Sequence, residues 1–366
     1  MSISKFLKIM ILSSSSLACT VLTGCAPEAP TQSEVRQQPI MPWTVQNSSQ
    51  AFGGQIDSTQ IRGIFYSTTP PTGTAPSPTN YFLRSQNTDY YAPINSITYN
   101  GLQVVSVTTS DGWLQVTAGG ATYTPSGTFS LIFQLGGPAA GTLRITGTQG
   151  DPDLSYGQYV VEYAATSSDV WSPYCPHPYQ DSDGNSVNLT EYMIPVGGAT
   201  WLLDGRRIDD ASSIQLSCSH DSIGGCVTWG YAPWATQGSV SLKDTHQACT
   251  RMKRADFCGT GDPLTTLNQS AYLHTQIQIW DSVSINPMQP QTTSTMEALW
   301  SPSGATCFNR PKYRTTLQNY VGHMQALVTS KACPQIPTCS KGSTGLVGSA
   351  RPCTAIDPAT GNCTSN

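Results

Sequence analysis

One segment carries a histidine, a cysteine and an aspartate that could do chemistry together: His246, Cys249 and Asp256. A cysteine thiolate beside a histidine and an acid can act as a nucleophile. On a helix, His246 and Cys249 are three residues apart and could share one face. The even cysteine count favours the alternative, in which Cys249 is in a disulfide and His246 is an ordinary core or surface residue. His274 is a further acid–base candidate, should the fold bring it to a carboxylate.

A second candidate is a cation loop at residues 181–186, with the sequence DSDGNS. Asp181, Asp183 and Asn185 alternate in the way that oxygen ligands of calcium do. The loop has Ser186 where a calcium loop needs glycine, and Tyr192 where it needs a bidentate glutamate. A polar turn is the alternative. The sequence therefore predicts no metal and no other cofactor.

Aromatic residues form a third candidate, with Trp229, Tyr231 and Trp234 close together in the chain. Rings with an exposed face could bind a sugar or a peptide. Such residues more often fill a core, where tryptophan commonly packs on a disulfide in β-domains. The ligand-binding residues are thus left open.

Ten of the twelve cysteines lie after residue 174. An even number of cysteines in an oxidising compartment predicts disulfides. Sequence proximity favours Cys218–Cys226, Cys249–Cys258, Cys333–Cys339 and Cys353–Cys363, with Cys175–Cys307 as a long bridge. Other pairings remain open, because connectivity does not follow from sequence alone.

The charge balance argues against a nucleic-acid partner. Lys and Arg number 18 against 22 Asp and Glu, and charged residues are only 11% of the chain. Binding to phosphates requires clustered Lys and Arg. The nearest cluster, Arg251-Met252-Lys253-Arg254, is short, and we expect it to form a solvated face of a helix.

The elements that would position these residues are mainly β. From Ile97 to Tyr163, segments of four to seven residues rich in Val, Ile and aromatics are separated by turns such as Asp111-Gly112 and Gly119-Gly120. That spacing is typical of a sandwich or barrel. Further short strands are expected at 200–203, 213–218 and 227–231.

Two helices are expected in the second half. The first runs from His246 to Phe257 with Asp244 or Thr245 as its N-cap. The second shows helical spacing of apolar residues between Tyr313 and Thr329. The predicted fold class is therefore mainly β with an α+β second half, built from disulfide-stapled sandwich- or barrel-like elements plus two helices.

The N-terminal segment predicts secretion. Lys5 and Lys8 precede an apolar stretch, Ile9–Leu22, which is too short for a membrane span. The following Leu22-Thr23-Gly24-Cys25 resembles the lipobox of bacterial lipoproteins. That resemblance implies cleavage after Gly24, a lipid on Cys25, and location in the bacterial cell envelope at the outer membrane.

Residues 246–259, HQACTRMKRADFCG, are similar to the ADYC domain of bacterial secreted and lipid-anchored proteins. The family is named for Ala-Asp-Tyr-Cys, which stands here as Ala255-Asp256-Phe257-Cys258. Other matching blocks are 171–175 (WSPYC), 225–231 (GCVTWGY) and 279–281 (IWD). The similarity covers roughly residues 95 to 330. It implies no particular activity, and Phe257 removes the hydroxyl that the family's tyrosine carries.

These observations predict five segments: a signal peptide (1–24), a membrane tether (25–50), a β-rich domain (51–174), an ADYC domain (175–332) and a cysteine-containing tail (333–366). We expect an extracytoplasmic protein held at the membrane by an N-terminal lipid, with a binding or envelope-structural role. Its ligand would be an envelope protein or polysaccharide. The alternative is a hydrolase of envelope or extracellular polymer, and the sequence leaves open whether the protein is an enzyme.

Overall fold

The structure is a computed structural model, and all the residues that it describes belong to one compact unit within 37–366. The described residues are 54–56, 63–67, 80–85, 88–91, 93–137, 140–147, 155–166, 170–180, 186–190, 192–202, 204–261, 275–285, 296–309, 333, 335–350, 355–356 and 363–364. Among them, no helix has both the length and the apolar character needed to cross a membrane.

Within these residues, a curled, half-barrel sheet contains 13 strands, all paired antiparallel. With strands numbered along the chain, its members are β2 (Gly63–Ser67), β3 (Asn80–Ser85), β4 (Thr88–Tyr91), β5 (Ile94–Tyr99), β6 (Leu102–Ser110), β7 (Trp113–Ala118), β8 (Ala121–Tyr123), β9 (Leu131–Leu135), β10 (Gly141–Gly147), β11 (Tyr159–Ala165), β12 (Ser172–Pro173), β15 (Met193–Trp201) and β16 (Arg207–Cys218). Their order is β4-β3-β2-β16-β15-β11-β10-β9-β5-β6-β7-β8, with β12 paired to β11. The sheet therefore joins strands from both halves of the chain.

A second sheet has five strands in the order β1-β19-β22-β20-β21. These are β1 (Gly54–Ile56), β19 (Thr275–Asp281), β20 (Met296–Ser301), β21 (Gly304–Phe308) and β22 (Val347–Ala350). Three short hairpins pair β13 (Pro176–Gln180) with β14 (Ser186–Thr190), β17 (Thr236–Gln237) with β18 (Val240–Ser241), and β23 (Ala355–Ile356) with β24 (Cys363–Thr364). The two described helices are α1 (Ser222–Thr228) and α2 (Lys243–Arg254).

Strand β7 illustrates why these segments become strands. Leu114, Val116 and Ala118 are buried, while the residues between them are partly exposed, so one face of the sheet is covered. The turn before it, Asp111-Gly112, has positive φ at both residues, as a two-residue hairpin turn requires. The predicted turn is thus confirmed.

Strand β22 occupies the centre of the five-stranded sheet, between β19 and β20. Gly348 lies directly under the Trp280 ring, where a Cβ would be 2.0 Å from a ring atom. The Ser349 hydroxyl accepts a hydrogen bond from Trp300 Nε1 at 2.8 Å and donates one to Glu297 at 2.8 Å. Each side of β22 is therefore fitted to specific side chains of its neighbours.

The predicted fold class is confirmed: the chain is mostly β, with two helices in its second half. Helix α2 begins three residues before the predicted start and ends three residues before the predicted end. The expected strand at 227–231 is wrong, because Val227 is in α1. Gly224 permits that helix to pack closely, since a Cβ there would lie 2.4 Å from the Cys218 carbonyl oxygen. The helix expected at 313–329 lies outside the described residues.

The disulfides are Cys175–Cys218, Cys226–Cys249, Cys258–Cys333 and Cys307–Cys339. The predicted pairs among these eight cysteines are wrong, because neighbours in sequence separate into different cores. Cys218 lies with Cys175 in the core of the large sheet, whereas Cys226 lies with Cys249 in the core around α2. The predicted Cys353–Cys363 pair falls on side chains that the structure does not describe. Disulfides persist in oxidising compartments, so the protein is extracytoplasmic.

The candidate site around helix α2

Helix α2 is buried from Thr245 to Arg254. Asp244 is in its first turn and three basic residues are in its last, an arrangement that complements the helix dipole. The helix ends at Ala255, which has φ 54° and ψ 38°. The Ala255 N–H donates to Met252 O and the Asp256 N–H to Arg251 O, each at 3.0 Å. This pair of bonds is a Schellman cap, with alanine at the position that glycine usually holds.

Arg251 and Asp256 form an ion pair just at this cap, with side chains only 3% and 1% exposed. Arg251 also donates to Asp204 O at 2.7 Å and to Pro302 O at 3.2 Å. The Gly261 N–H donates to Asp256 Oδ2 at 3.0 Å. Burial raises the pKa of the Asp256 carboxyl, and the adjacent Arg251 guanidinium opposes that rise. The pair thus ties the end of α2 to three other loops.

The basic cluster 251–254 does not form the solvated face that we expected, because all four residues are buried. Lys253 Nζ donates to His220 O at 2.7 Å and to Asp221 O at 3.2 Å, and lies 4.9 Å from the centre of the Trp229 ring. The Arg254 guanidinium donates to Gly261 O. Backbone carbonyls and Asp256 replace water around these cations, which makes their burial tolerable.

His246 is fully buried on the same helix. Its Nε2 lies 3.1 Å from Ile223 O, and its ring packs edge-on against Trp201 with the centroids 5.3 Å apart. Burial lowers the pKa of His246 to about 3. The imidazole is therefore neutral at physiological pH, and its hydrogen bond goes to a backbone carbonyl.

Neither cysteine of the segment offers a thiol. Cys249 is bonded to Cys226 of α1, and Cys258 is bonded to Cys333. Asp256 binds Arg251, while His246 contacts Ile223 and Trp201. Cys249, His246 and Asp256, the predicted nucleophile, base and acid, are close in sequence, but each contacts a different partner and they do not contact one another in these interactions.

Phe257 completes the Ala-Asp-Phe-Cys segment and is 2% exposed. Its ring stacks on Trp300 with centroids 4.9 Å apart and meets Phe308 edge-on at 4.7 Å. It therefore connects the end of α2 to strands β20 and β21. All four residues of the segment now have an architectural role: Ala255 caps the helix, Asp256 binds Arg251, Phe257 packs and Cys258 is bridged.

The three aromatic candidates are placed differently. Tyr231 is fully buried, and its hydroxyl donates to Asp281 Oδ2 at 3.0 Å. Trp229 is half-buried beneath Lys253. Trp234 is half-buried, with its ring over Gly112. They do not form a shared exposed platform.

Several predicted residues lie outside the part of the chain that the structure describes: Cys25, Asp181, Asp183, Asn185, His274 and Cys353. Cys363 is described only as part of strand β24. Within the described ranges, no group of three His, Cys, Asp or Glu residues could hold a metal ion.

Arg251 and Lys253 are the organising residues that the sequence did not identify. A run of basic residues on a helix ordinarily indicates a face that is exposed to solvent. In the structure two glycines make room for these cations: a Cβ at Gly225 would lie 1.9 Å from Lys253 Nζ, and one at Gly205 would lie 3.2 Å from Arg251 Nη1. Because both glycines are distant in sequence from the helix, the sequence carried no local signal of this burial.

A family model described as the ADYC domain matches residues 127–314, just over half of the chain. The match begins before β9 and ends after β21, and includes all of α2. No curated protein and no solved structure matches the chain.

Proposed function

We propose that this chain, which belongs to the ADYC domain family, is a lipid-anchored envelope protein. Its proposed role is to bind a ligand or to support the structure of the envelope, without catalysing a reaction. The observation that carries the proposal is the use of the family segment itself. Ala255, Asp256, Phe257 and Cys258 all make internal contacts, and none is presented to a ligand.

The hydrolase alternative is not favoured by the geometry of helix α2. Nucleophilic catalysis needs a nucleophile and a base within hydrogen-bond reach. The Cys249 sulfur is bonded to Cys226, and the buried His246 contacts a backbone carbonyl. A general base should also have a pKa near the working pH, whereas the pKa of His246 is about 3.

For the ligand we propose a neutral envelope polysaccharide, bound on the outward side of β7 and β8. Hydroxyl and amide side chains lie across these strands: Thr117 and Thr122 are 3.0 Å apart, and Gln115 donates to Thr124 at 2.9 Å. Trp113 shares the outward face of β7 with Gln115 and Thr117. Uncharged donors and acceptors beside an aromatic ring suit a polyol.

Binding can be measured by co-sedimentation of the mature protein with purified, insoluble envelope polysaccharide. The variant Gln115→Ala/Thr117→Ala/Thr122→Ala should remain folded and lose most of the binding. A matched control is Thr236→Ala/Gln237→Ala/Ser239→Ala in the exposed β17–β18 hairpin, which should bind normally. Sedimentation of the wild type with envelope protein and not with polysaccharide would overturn the choice of ligand.

Catalysis can be tested on the same material. We expect no time-dependent release of soluble sugar by the wild-type protein. Release that is lost in Asp256→Asn or His246→Gln, while the fold is kept, would replace the binding proposal with the hydrolase one.

The lipid anchor and the outer membrane are part of the proposal and are supported by the sequence around Cys25. Mass spectrometry of the mature N-terminus should find a diacylglycerol-modified cysteine. Cys25→Ala should move the protein into the soluble fraction, whereas Ala26→Ser should leave it in the outer membrane. A wild-type protein with no added mass and no membrane association would contradict the anchor.

A further inference from the structure

The four disulfides are of two kinds. Cys175–Cys218 and Cys226–Cys249 each join cysteines that follow one another in this part of the chain. Cys258–Cys333 and Cys307–Cys339 cross, because Cys307 lies between the two cysteines of the first bond. Four cysteines allow three connectivities. The native one is not the one that sequential pairing would give.

The cysteines of the first kind need no correction, whereas Cys258 and Cys307 are the first two cysteines of the crossed set along the chain. The Ala305 N–H donates to Phe257 O at 2.8 Å, and the Phe257 and Phe308 ring centroids are 4.7 Å apart. Cys258 follows Phe257, and Cys307 precedes Phe308. These contacts join the segment that carries Cys258 to strand β21, which carries Cys307, although Cys307 and Phe308 pack in different clusters.

The order of the cysteines along the chain favours a wrong pairing. Chains fold with N-terminal segments first as they are made. Cys258 and Cys307 both become available before Cys333 and Cys339. Two thiols on contacting segments in an oxidising compartment can then pair before their native partners arrive.

From the crossed connectivity and this order along the chain we propose that the protein is a substrate of a thiol–disulfide isomerase. The bonds that form first are Cys258–Cys307 and Cys333–Cys339, and the isomerase exchanges them for the native pair. The partner is defined by its chemistry, a reactive thiolate that is regenerated. This inference is independent of the ligand proposed above.

The exchange balances without an oxidant. The isomerase thiolate attacks Cys258 Sγ, which breaks the Cys258–Cys307 bond and leaves a mixed disulfide and a Cys307 thiolate. That thiolate attacks Cys339 and releases Cys333. The Cys333 thiolate then attacks the mixed disulfide at Cys258 and releases the isomerase thiolate. The protein has two disulfides among these four cysteines before the exchange and two after it.

The native bonds matter because they precede the central strand β22. The Phe308 N–H donates to Pro337 O at 2.9 Å, and the Cys339 N–H donates to Asn309 Oδ1 at 2.9 Å. The segment 337–339 is thus aligned beside β21 where the Cys307–Cys339 bond holds it. With a local Cys333–Cys339 bond, neither disulfide would tie the approach to β22 to the rest of the fold.

The test is secretion of the full chain in a bacterial host with and without its periplasmic disulfide isomerase, followed by non-reducing peptide mapping. Without the isomerase we expect a several-fold loss of natively bridged protein and the appearance of a Cys258–Cys307 peptide. Cys175–Cys218 and Cys226–Cys249 should form in both hosts. Equal yields of natively bridged protein in both hosts would overturn the proposal.

Variants separate isomerase dependence from general folding defects. Cys307→Ser/Cys339→Ser removes the competing thiols, so Cys258–Cys333 should form equally in both hosts. The matched control, Cys175→Ser/Cys218→Ser, keeps the crossed pair and should keep the dependence. If the control is unstable, the map of the wild-type chain alone decides. A Cys258–Cys333 bond in Cys307→Ser/Cys339→Ser that still requires the isomerase would contradict the proposed wrong partner.

Discussion

Arg251 and Asp256 form an ion pair across the end of helix α2, with both side chains almost entirely removed from solvent. Removing one member of a buried pair leaves an uncompensated charge, which commonly costs about 3–5 kcal/mol. We expect Arg251→Met to lose that much unfolding free energy in urea. Arg206→Met is the matched control, because Arg206 is 59% exposed in its pair with Asp204 and should contribute about 1 kcal/mol or less. Equal losses in the two variants would contradict the assigned role of Arg251.

The buried His246 should make the protein sensitive to acid. The imidazole protonates near pH 6.5 in the unfolded chain and only near pH 3 in the folded one, because burial opposes its charge. The unfolded state therefore binds more protons below pH 6.5, and the folded state loses stability as the pH falls. The largest slope from one group is about 1.4 kcal/mol per pH unit.

Urea unfolding of the wild type and His246→Gln at a series of pH values measures this effect. Lost packing lowers the unfolding free energy of the variant by the same amount at every pH. The informative quantity is therefore how the difference in unfolding free energy between wild type and variant changes with pH. The wild type should lose stability relative to the variant as the pH falls from about 6.5 towards about 3, where the folded state also binds the proton. A difference that does not change with pH would show that His246 is not held neutral.

Ala255 offers a test of the helix cap. A left-handed conformation costs an alanine about 1–2 kcal/mol, which Ala255→Gly would relieve. The same change removes a buried methyl worth about 0.8 kcal/mol and adds backbone entropy to the unfolded chain. These contributions nearly cancel, so we expect Ala255→Gly to change the unfolding free energy by no more than about 1 kcal/mol. Ala255→Val should be much worse in thermal unfolding, because a branched side chain does not tolerate this conformation. A stable Val variant would contradict the cap.

Gly224 tests the close packing of α1. A Cβ at Gly224 would lie 2.4 Å from the Cys218 carbonyl oxygen, which is backbone and cannot turn aside. We expect Gly224→Ala to lower the unfolding free energy by about 1–3 kcal/mol through this overpacking. Gly342→Ala is the control, because nothing lies within 4 Å of that Cβ position. A Gly224 variant as stable as this control would mean that α1 packs less tightly than described.

The sequence predicted those parts of the fold that depend on local pattern. Alternation in Trp113–Val116 predicted a strand, because a sheet with one buried face requires it, and Asp111-Gly112 predicted the turn before that strand. Helix α2 was likewise evident from its composition. Its end was displaced because Ala255 adopts a left-handed conformation that local propensity disfavours.

What the sequence could not predict depends on long-range contacts. Cys218 and Cys226 are eight residues apart yet belong to different cores, because Cys218 ends strand β16 and Cys226 lies in helix α1. The burial of Lys253 depends on carbonyls from a loop more than thirty residues earlier in the chain. The Arg251–Asp256 pair could not be predicted from helical spacing, because its members are five residues apart with the end of α2 between them. Its burial depends on Pro302 and Asp204, which belong to distant segments.

Strand β22 begins at Val347, whereas the family match ends at residue 314. A recombinant fragment cut at the match boundaries would leave a gap between β19 and β20 and would expose the backbone donors and acceptors of both. Unpaired strand edges recruit other chains, so such a fragment should aggregate. Work on this protein should therefore keep the polypeptide through at least Ala350, well past the point at which family similarity stops.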